Sequence, residues 1–155
     1  MNDDLSLAVT HEVRDRCLCL QAQRAARALA RRFDDALRPL ELTNGQFSLL
    51  MALNRPHPPR VGDLVSLLAI DRTTLTAALK PLQRRGLVIS EADPADARSR
   101  RLRLTASGRN TLKRALPVWR ATHAVLDGEL GQTRAQRLHR DLGRVAAAGA
   151  DGEVM

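Results

Sequence analysis

The hydrophobic period of the chain changes abruptly at Gly86. Before it, residues 72–85 place Leu75, Ala78 or Leu79, and Leu82 at helical spacing behind Asp71, which reads as an N-cap, and Gly86 closes the helix. After it, Leu87-Val88-Ile89 is short, apolar and partly β-branched, while Arg101-Leu102-Arg103-Leu104 alternates strictly, so two strands flank the polar stretch 91–100. A helix joined through one glycine to a hairpin with a long charged tip leaves few folds open. Pro81 is the awkward residue in that helix. It removes a backbone donor and crowds the Ala77 carbonyl, at a cost of roughly 3 kcal/mol in a helix interior, so either the helix bends there or it ends earlier.

The remaining elements follow from the same spacing rules. Apolar residues at Val13, Cys17, Leu20, Ala25, Leu29, Phe33 and Ala36 or Leu37 predict one long amphipathic helix over residues 5–37, ended by Arg38-Pro39. Thr43, with Gln46 three residues on, forms a capping-box pattern for a second helix through Leu53, which Arg55-Pro56-His57-Pro58-Pro59 stops. A short helix is expected over 61–69. Behind the hairpin, Thr105 caps a helix running through Leu112 and Leu116 toward Leu126, with Pro117 inside it as a kink. Residues 133–148 read as a last helix and 149–155 as a frayed tail. Helices followed at once by a two-stranded hairpin make a winged helix-turn-helix. The expected fold is therefore mainly α, with that domain at 43–105 and its wing at about 87–105. An N-terminal dimerisation helix (1–40) and C-terminal dimerisation helices (106–150) flank it, because their spare apolar stripes are most simply buried against a second copy.

Charge locates the working surface. The 155 residues include 25 basic and 17 acidic side chains, a net charge of +8. Residues 72–120 hold 12 of the basic residues and only 3 of the acidic ones, leaving 13 basic against 14 acidic elsewhere. A randomly charged, solvated face would not segregate this way, so the excess points to a polyanion. The 3 aromatic residues, Phe33, Phe47 and Trp119, are scattered along the chain and there is no Tyr, which excludes base stacking on single strands and favours duplex DNA. On the helix over 72–85, Arg72, Thr73, Thr74, Thr76, Lys80 and Arg84 are the candidate contacts, with the N-terminal residues directed at base edges in a major groove. In the wing, Arg98 and Arg100 place two guanidinium groups at the tip, shaped for a minor groove, and Asp96 stands two residues before Arg98 to hold it.

Other chemistry is poorly represented. There is no phosphate-cradling Gly-rich loop, nucleophile elbow or HExxH-like spacing, so no enzyme is expected, and no cofactor. Cys17 and Cys19, two apart on a helix, project about 200° apart and cannot chelate one ion together. His11, His57, His123 and His139 show no ligand spacing and read as surface or cap residues, so no metal is expected. No apolar run reaches membrane-spanning length, and Asp3 and Asp4 stand where a secretory signal would be basic, which predicts a cytoplasmic protein with free thiols and no membrane partner.

The chain resembles the MarR family of bacterial transcription regulators from about residue 16 to residue 142. The resemblance rests on Asp71-Arg72-Thr73-Thr74-Leu75-Thr76, on Leu82-Gln83-Arg84-Arg85-Gly86-Leu87-Val88, and on Asp93-Pro94-Ala95-Asp96-Ala97-Arg98 leading to Leu104-Thr105-Ala106-Ser107-Gly108. It implies a homodimer joined through its terminal helices, bound to a pseudo-palindromic duplex operator, usually as a repressor released by a ligand or an oxidant. By position, Asp96 and Arg98 match the family's wing pair, and residues 73–80 its recognition helix. A small aromatic or anionic ligand is implied, in a pocket between the first helix, the second helix and the helix from Thr105. Cys19, with Cys17 beside it, matches the reactive cysteine of the organic-hydroperoxide sensors, although the tyrosines that support that thiolate are absent here and Gln23 and Phe33 stand near their places. The two thiols read more simply as small helix residues, one packed and one peripheral. A nonspecific nucleoid protein using the same basic patch is the reading from outside this family.

Overall fold

The computed structural model describes residues 5–150. Helices α1 (Leu7–Arg16), α2 (Leu18–Leu37), α3 (Asn44–Ala52), α4 (Val61–Leu68) and α5 (Arg72–Arg84) precede an antiparallel hairpin of β1 (Val88–Asp93) and β2 (Asp96–Leu104). Helices α6 (Ala106–Leu130) and α7 (Gln132–Ala150) complete the described chain. The order is that of a winged helix-turn-helix with additional helices at both ends. Residues 151–155, most of the expected frayed tail, and Asp3 and Asp4 lie outside the described residues. Gly149, placed in that tail by the sequence, is the penultimate residue of α7.

Local signals place each boundary of the central domain. Thr43 and Gln46 form the expected capping box at α3, where Thr43 Oγ1 accepts from the Gln46 N–H at 3.2 Å and Gln46 Oε1 accepts from the Thr43 N–H at 3.0 Å. Asp34 of α2 adds a third acceptor at this helix start, taking the Asn44 N–H at 2.6 Å. Asp71 caps α5 through the Thr74 N–H at 2.8 Å. At its far end, Leu87 donates to the Leu82 carbonyl and Gly86 to that of Gln83, both at 2.9 Å, with Gly86 at φ 66°. This is a Schellman ending, and it turns the chain straight into β1.

Leu64, Leu75, Leu82 and Leu102 are fully buried in one core with Leu49, Leu50 and Val88. Leu37, Leu112 and Ala115 join the same core, so α2 and α6 are anchored to the winged domain at their near ends. Pro81 does not end α5, which continues to Arg84. Burial of Leu79 and Leu82 on either side, about 1.5–3 kcal/mol each, outweighs the lost donor.

Two expectations are corrected. Residues 5–37 form two helices, because Cys17 is extended at φ −72°, ψ 103°. Its Sγ accepts from the Leu20 N–H at 3.4 Å, and Gln21 Nε2 donates to the Arg14 carbonyl at 3.0 Å, so side chains satisfy backbone groups exposed by the break. Helix α1 buries no residue, so no packing opposes that competition. The hairpin also lacks a long charged tip. Its strands reach Asp93 and Asp96, leaving Pro94-Ala95 as a two-residue turn closed by Asp93 Oδ1 on the Ala95 N–H at 3.0 Å, while residues 97–99 bulge between the pairs Asp93–Asp96 and Ala92–Arg100. The local Asx hydrogen bond and cross-strand pairing outweigh the polarity that made this stretch read as loop.

Candidate nucleic-acid interface

Helix α5 buries Leu75, Leu79 and Leu82 and exposes Arg72, Thr73, Thr76, Ala77, Lys80 and Arg84. Among the described residues, Arg72, Lys80, Arg84 and Arg98 meet no carboxylate. Other cations of the basic stretch are held. Arg85 donates to the carbonyls of Glu41 and Leu40, and Arg103 pairs with Glu91 at 2.6 Å, which lowers the Glu91 pKa. The free charge is therefore narrower than the sequence count: within the winged domain it lies on the outward face of α5 and along β2, and Lys113, Arg114 and Arg120 of α6 likewise meet no carboxylate among the described residues. Two threonine hydroxyls are engaged within the helix: Thr74 Oγ1 donates to Asp71 Oδ2 at 2.6 Å, and Thr76 Oγ1 donates to the Arg72 carbonyl at 2.8 Å. The Thr74 hydroxyl is the leading cause of the lowered Asp71 pKa. Both oxygens keep acceptor capacity, and the Thr76 methyl stands on the exposed face.

The wing rests on a buried carboxylate. The Asp93 side chain is fully inaccessible and lies 2.7 Å from Arg60 Nε and 3.0 Å from Arg101 Nε. Its pKa is lowered to about 2 by the Arg101 guanidinium, the Ala95 N–H and Arg60, against the opposing effect of burial. Arg101 also donates to the Pro58 carbonyl at 3.0 Å, and the Leu102 N–H to that of Pro59 at 3.0 Å, so β2 is strapped to the segment before α4. Neither Arg60 nor Asp93 was legible as a site residue, since Asp93 read as part of a solvated tip.

Asp96 does not hold the Arg98 side chain. Its Oδ1 accepts from the Arg98 backbone N–H at 3.0 Å and its Oδ2 from Ser99 Oγ at 2.9 Å, so it shapes the strand after the turn and leaves the Arg98 guanidinium outward. Arg100 lies along the hairpin, donating from Nε to Ser90 Oγ at 3.0 Å and from Nη2 to the Ser90 carbonyl at 2.8 Å. It stands on the strand rather than at the tip.

The family model described as "MarR family" matches residues 42–99, from the approach to α3 into β2. The transcriptional regulator MosR of M. tuberculosis, solved in complex with DNA, is 37% identical over 90% of this chain and 100% of that one, with a TM-score of 0.81. The chain belongs to the MarR family. A second family likeness, the transcriptional repressor CouR bound to a 23-mer DNA duplex, is 30% identical over 86% of this chain and 95% of that one, with a TM-score of 0.79. The transcriptional regulator HosA of Escherichia coli O111:H- is 35% identical over 79 residues, 50% of this chain and 58% of HosA. The chain spans about half the length of the curated relatives it matches.

In this MarR-family chain the aromatic residues are scattered only in sequence. Phe33 of α2 and Trp119 of α6 flank His123, whose ring centroid lies 4.8 Å from that of Phe33 and 4.3 Å from that of Trp119. Phe47 of α3 stacks on Trp119 at 6.1 Å. His123 is thus half-buried among rings rather than a surface or cap residue, and none of the rings lies on α5 or the wing. Cys19 is exposed, with Gln23 Nε2 donating to its Sγ at 3.4 Å, while Cys17 is partly buried as the N-cap of α2. Among the described residues, no helix is long and apolar enough to cross a membrane, and no three metal-ligating side chains cluster.

Proposed function

We propose that the protein is a homodimeric, sequence-specific regulator that binds duplex DNA at a pseudo-palindromic operator and acts as a repressor released by a small ligand. The observation that carries this reading is the alignment of unpaired Arg72, Lys80, Arg84 and Arg98 along α5 and β2, on a fold shared with a 37% identical relative solved with DNA. Helix α5 enters a major groove, with Arg72, Thr73, Thr74 and Thr76 near base edges and Lys80 and Arg84 on phosphates, while Arg98 and Arg100 serve the wing's approach to the minor groove. Asp96 contributes by shaping the wing backbone. The proposed division is dimerisation through residues 1–40 and 106–150, with reading through 43–105. The protein performs no catalysis and works in the cytoplasm.

Binding to DNA selected from a random pool tests the reading. Each phosphate neutralised contributes about −0.9 to the slope of log affinity against log salt, so several contacts give a steep dependence. Arg98→Ala weakens binding; unchanged affinity at physiological salt removes Arg98 from the interface. Equal affinity for selected and random DNA would instead favour a nonspecific architectural protein.

For the effector, a groove of about 160 Å³ between α3 and α6 supports a small anionic ligand, since Leu112 and Leu116 floor it and Arg109 and Lys113 border it. The thiols carry a second reading. Cys19 is exposed, so an oxidant can reach its sulfur, and Gln23 Nε2 donates to that sulfur at 3.4 Å. An organic hydroperoxide would oxidise that thiol to the sulfenic acid, its O–O bond breaking to leave the alcohol. Release of DNA by hydroperoxide that Cys19→Ser abolishes supports the oxidant reading; release by aromatic carboxylates alone supports the ligand reading.

A further inference from the structure

A cleft of about 260 Å³ opens between the start of α4, the start of α5 and β2. Arg60, Arg72, Arg98 and Arg100 line it, four guanidinium groups brought together from three separate stretches of chain. The one carboxylate in its wall, Asp63, is already engaged, accepting the Arg60 N–H at 2.8 Å. Like charges gathered in one cleft repel unless an anion lies between them. Two of the four are fixed in advance: Arg60 by Nε on Asp93 at 2.7 Å, and Arg100 by Nε and Nη2 on Ser90 at 3.0 and 2.8 Å. That anchoring leaves the terminal amino groups of Arg60 and Nη1 of Arg100 to meet a ligand, with little side-chain entropy left to lose.

The place of the cleft identifies the anion. In a duplex, one sugar-phosphate strand separates each major groove from the adjacent minor groove. With α5 in the first and the wing in the second, the cleft between them must straddle that strand. We infer that this cleft clamps one backbone phosphodiester of the duplex, with Arg60 and Arg100 as the preset donors and Arg72 and Arg98 closing on it. The inference rests on the DNA-binding reading above and adds Arg60, which lies outside both α5 and the wing. The clamp fixes the wing's register relative to α5 without contacting a base.

A scan of methylphosphonate substitutions, each neutralising one phosphate of a duplex selected from a random pool by the wild-type protein, tests it. Wild type loses affinity at the same phosphate in each half-site, while Arg60→Gln is indifferent there and stays sensitive elsewhere, with a salt slope lower by about one per half-site. Arg100→Gln, which leaves the Asp93 contacts intact, gives the same selective indifference should Arg60→Gln fail to fold. Wild-type sensitivity retained at every phosphate in these variants overturns the clamp while leaving DNA binding standing. Failure of wild type to bind any duplex overturns the underlying reading, a separate outcome.

Discussion

Asp93 is the one buried charged residue in the described core, and its neighbours explain why it is tolerated. Two guanidinium groups and a backbone N–H face the carboxylate, so the charged form is favoured despite the loss of water. Its folded pKa of about 2 lies below the ordinary 3.8, so its contribution to stability is present in full above the unfolded value and fades as pH falls from about 3.8 toward 2. Asp93→Asn is expected to lower Tm at neutral pH, and the gap from wild type should narrow as thermal melts are taken through that acid window. A gap independent of pH would show that the ion pairs contribute nothing. Ala69 offers the opposite case. It closes α4 at φ 50°, ψ 45°, a conformation that costs a residue with a Cβ about 1–2 kcal/mol. Because Ala69 is exposed, Ala69→Gly should raise unfolding free energy by about 0.5–1 kcal/mol in urea titration, with DNA affinity unchanged.

At the scale of elements, the junction between hairpin and α6 is set by a glycine that helical propensity would disfavour. Gly108 stands in the first turn of α6, its N–H donating to Thr105 Oγ1 at 3.0 Å. A Cβ there would lie 2.1 Å from the Leu87 carbonyl oxygen and 3.3 Å from Leu104 Cδ2. That carbonyl already accepts the Thr105 N–H at 3.0 Å, so it cannot retreat without giving up a bond. Gly108→Ala should cost at least about 1–3 kcal/mol and weaken DNA binding through a displaced wing, readable by melting and by anisotropy on the same preparation. Caps and stops of this kind were legible: Thr43 with Gln46, Asp71, Gly86 and Thr105 all mark boundaries that stand where their local chemistry puts them. The break at Cys17 was not, because a sulfur acceptor at the N-cap leaves no mark in hydrophobic spacing. The extension of the hairpin was hidden for a related reason, since the residues lengthening its strands are mostly polar and only some of them, Glu91, Ala92 and Asp93 with Arg101, Arg100 and Asp96, pair across the hairpin.

Across the whole molecule, exposed apolar surface is concentrated on the helices outside the winged domain. Of the 12 large hydrophobic residues exposed in the described chain, only Met51 and Leu67 belong to the segment 43–105. On α7, Leu138, Leu142 and Val145 form one stripe at helical spacing, 46–59% exposed, and α1 buries nothing. A second copy laid on these helices would bury that surface and set two α5 helices at a fixed spacing. Leu142→Glu is therefore expected to shift the protein toward monomer in sedimentation velocity and to make the Tm of wild type, but not of the variant, depend on protein concentration. An unchanged sedimentation coefficient would move the dimer interface away from α7.

The sequence by itself determined the order of elements from α3 onward, the outward polar side of α5 and the segregation of charge, because each depends on spacing and composition within a short window. Tertiary structure alone decided which of those charges are free. Arg103 is neutralised across the hairpin, Arg85 is turned onto the carbonyls of Leu40 and Glu41, and Arg60 is brought from a proline-rich loop to the wing by a carboxylate 33 residues away. The rings of Phe33, Phe47, Trp119 and His123 likewise meet only through the packing of α2, α3 and α6. Pairings of this kind depend on distances between segments that no local pattern encodes, and here they separate the charges that hold the wing from those left unpaired on its surface and on α5.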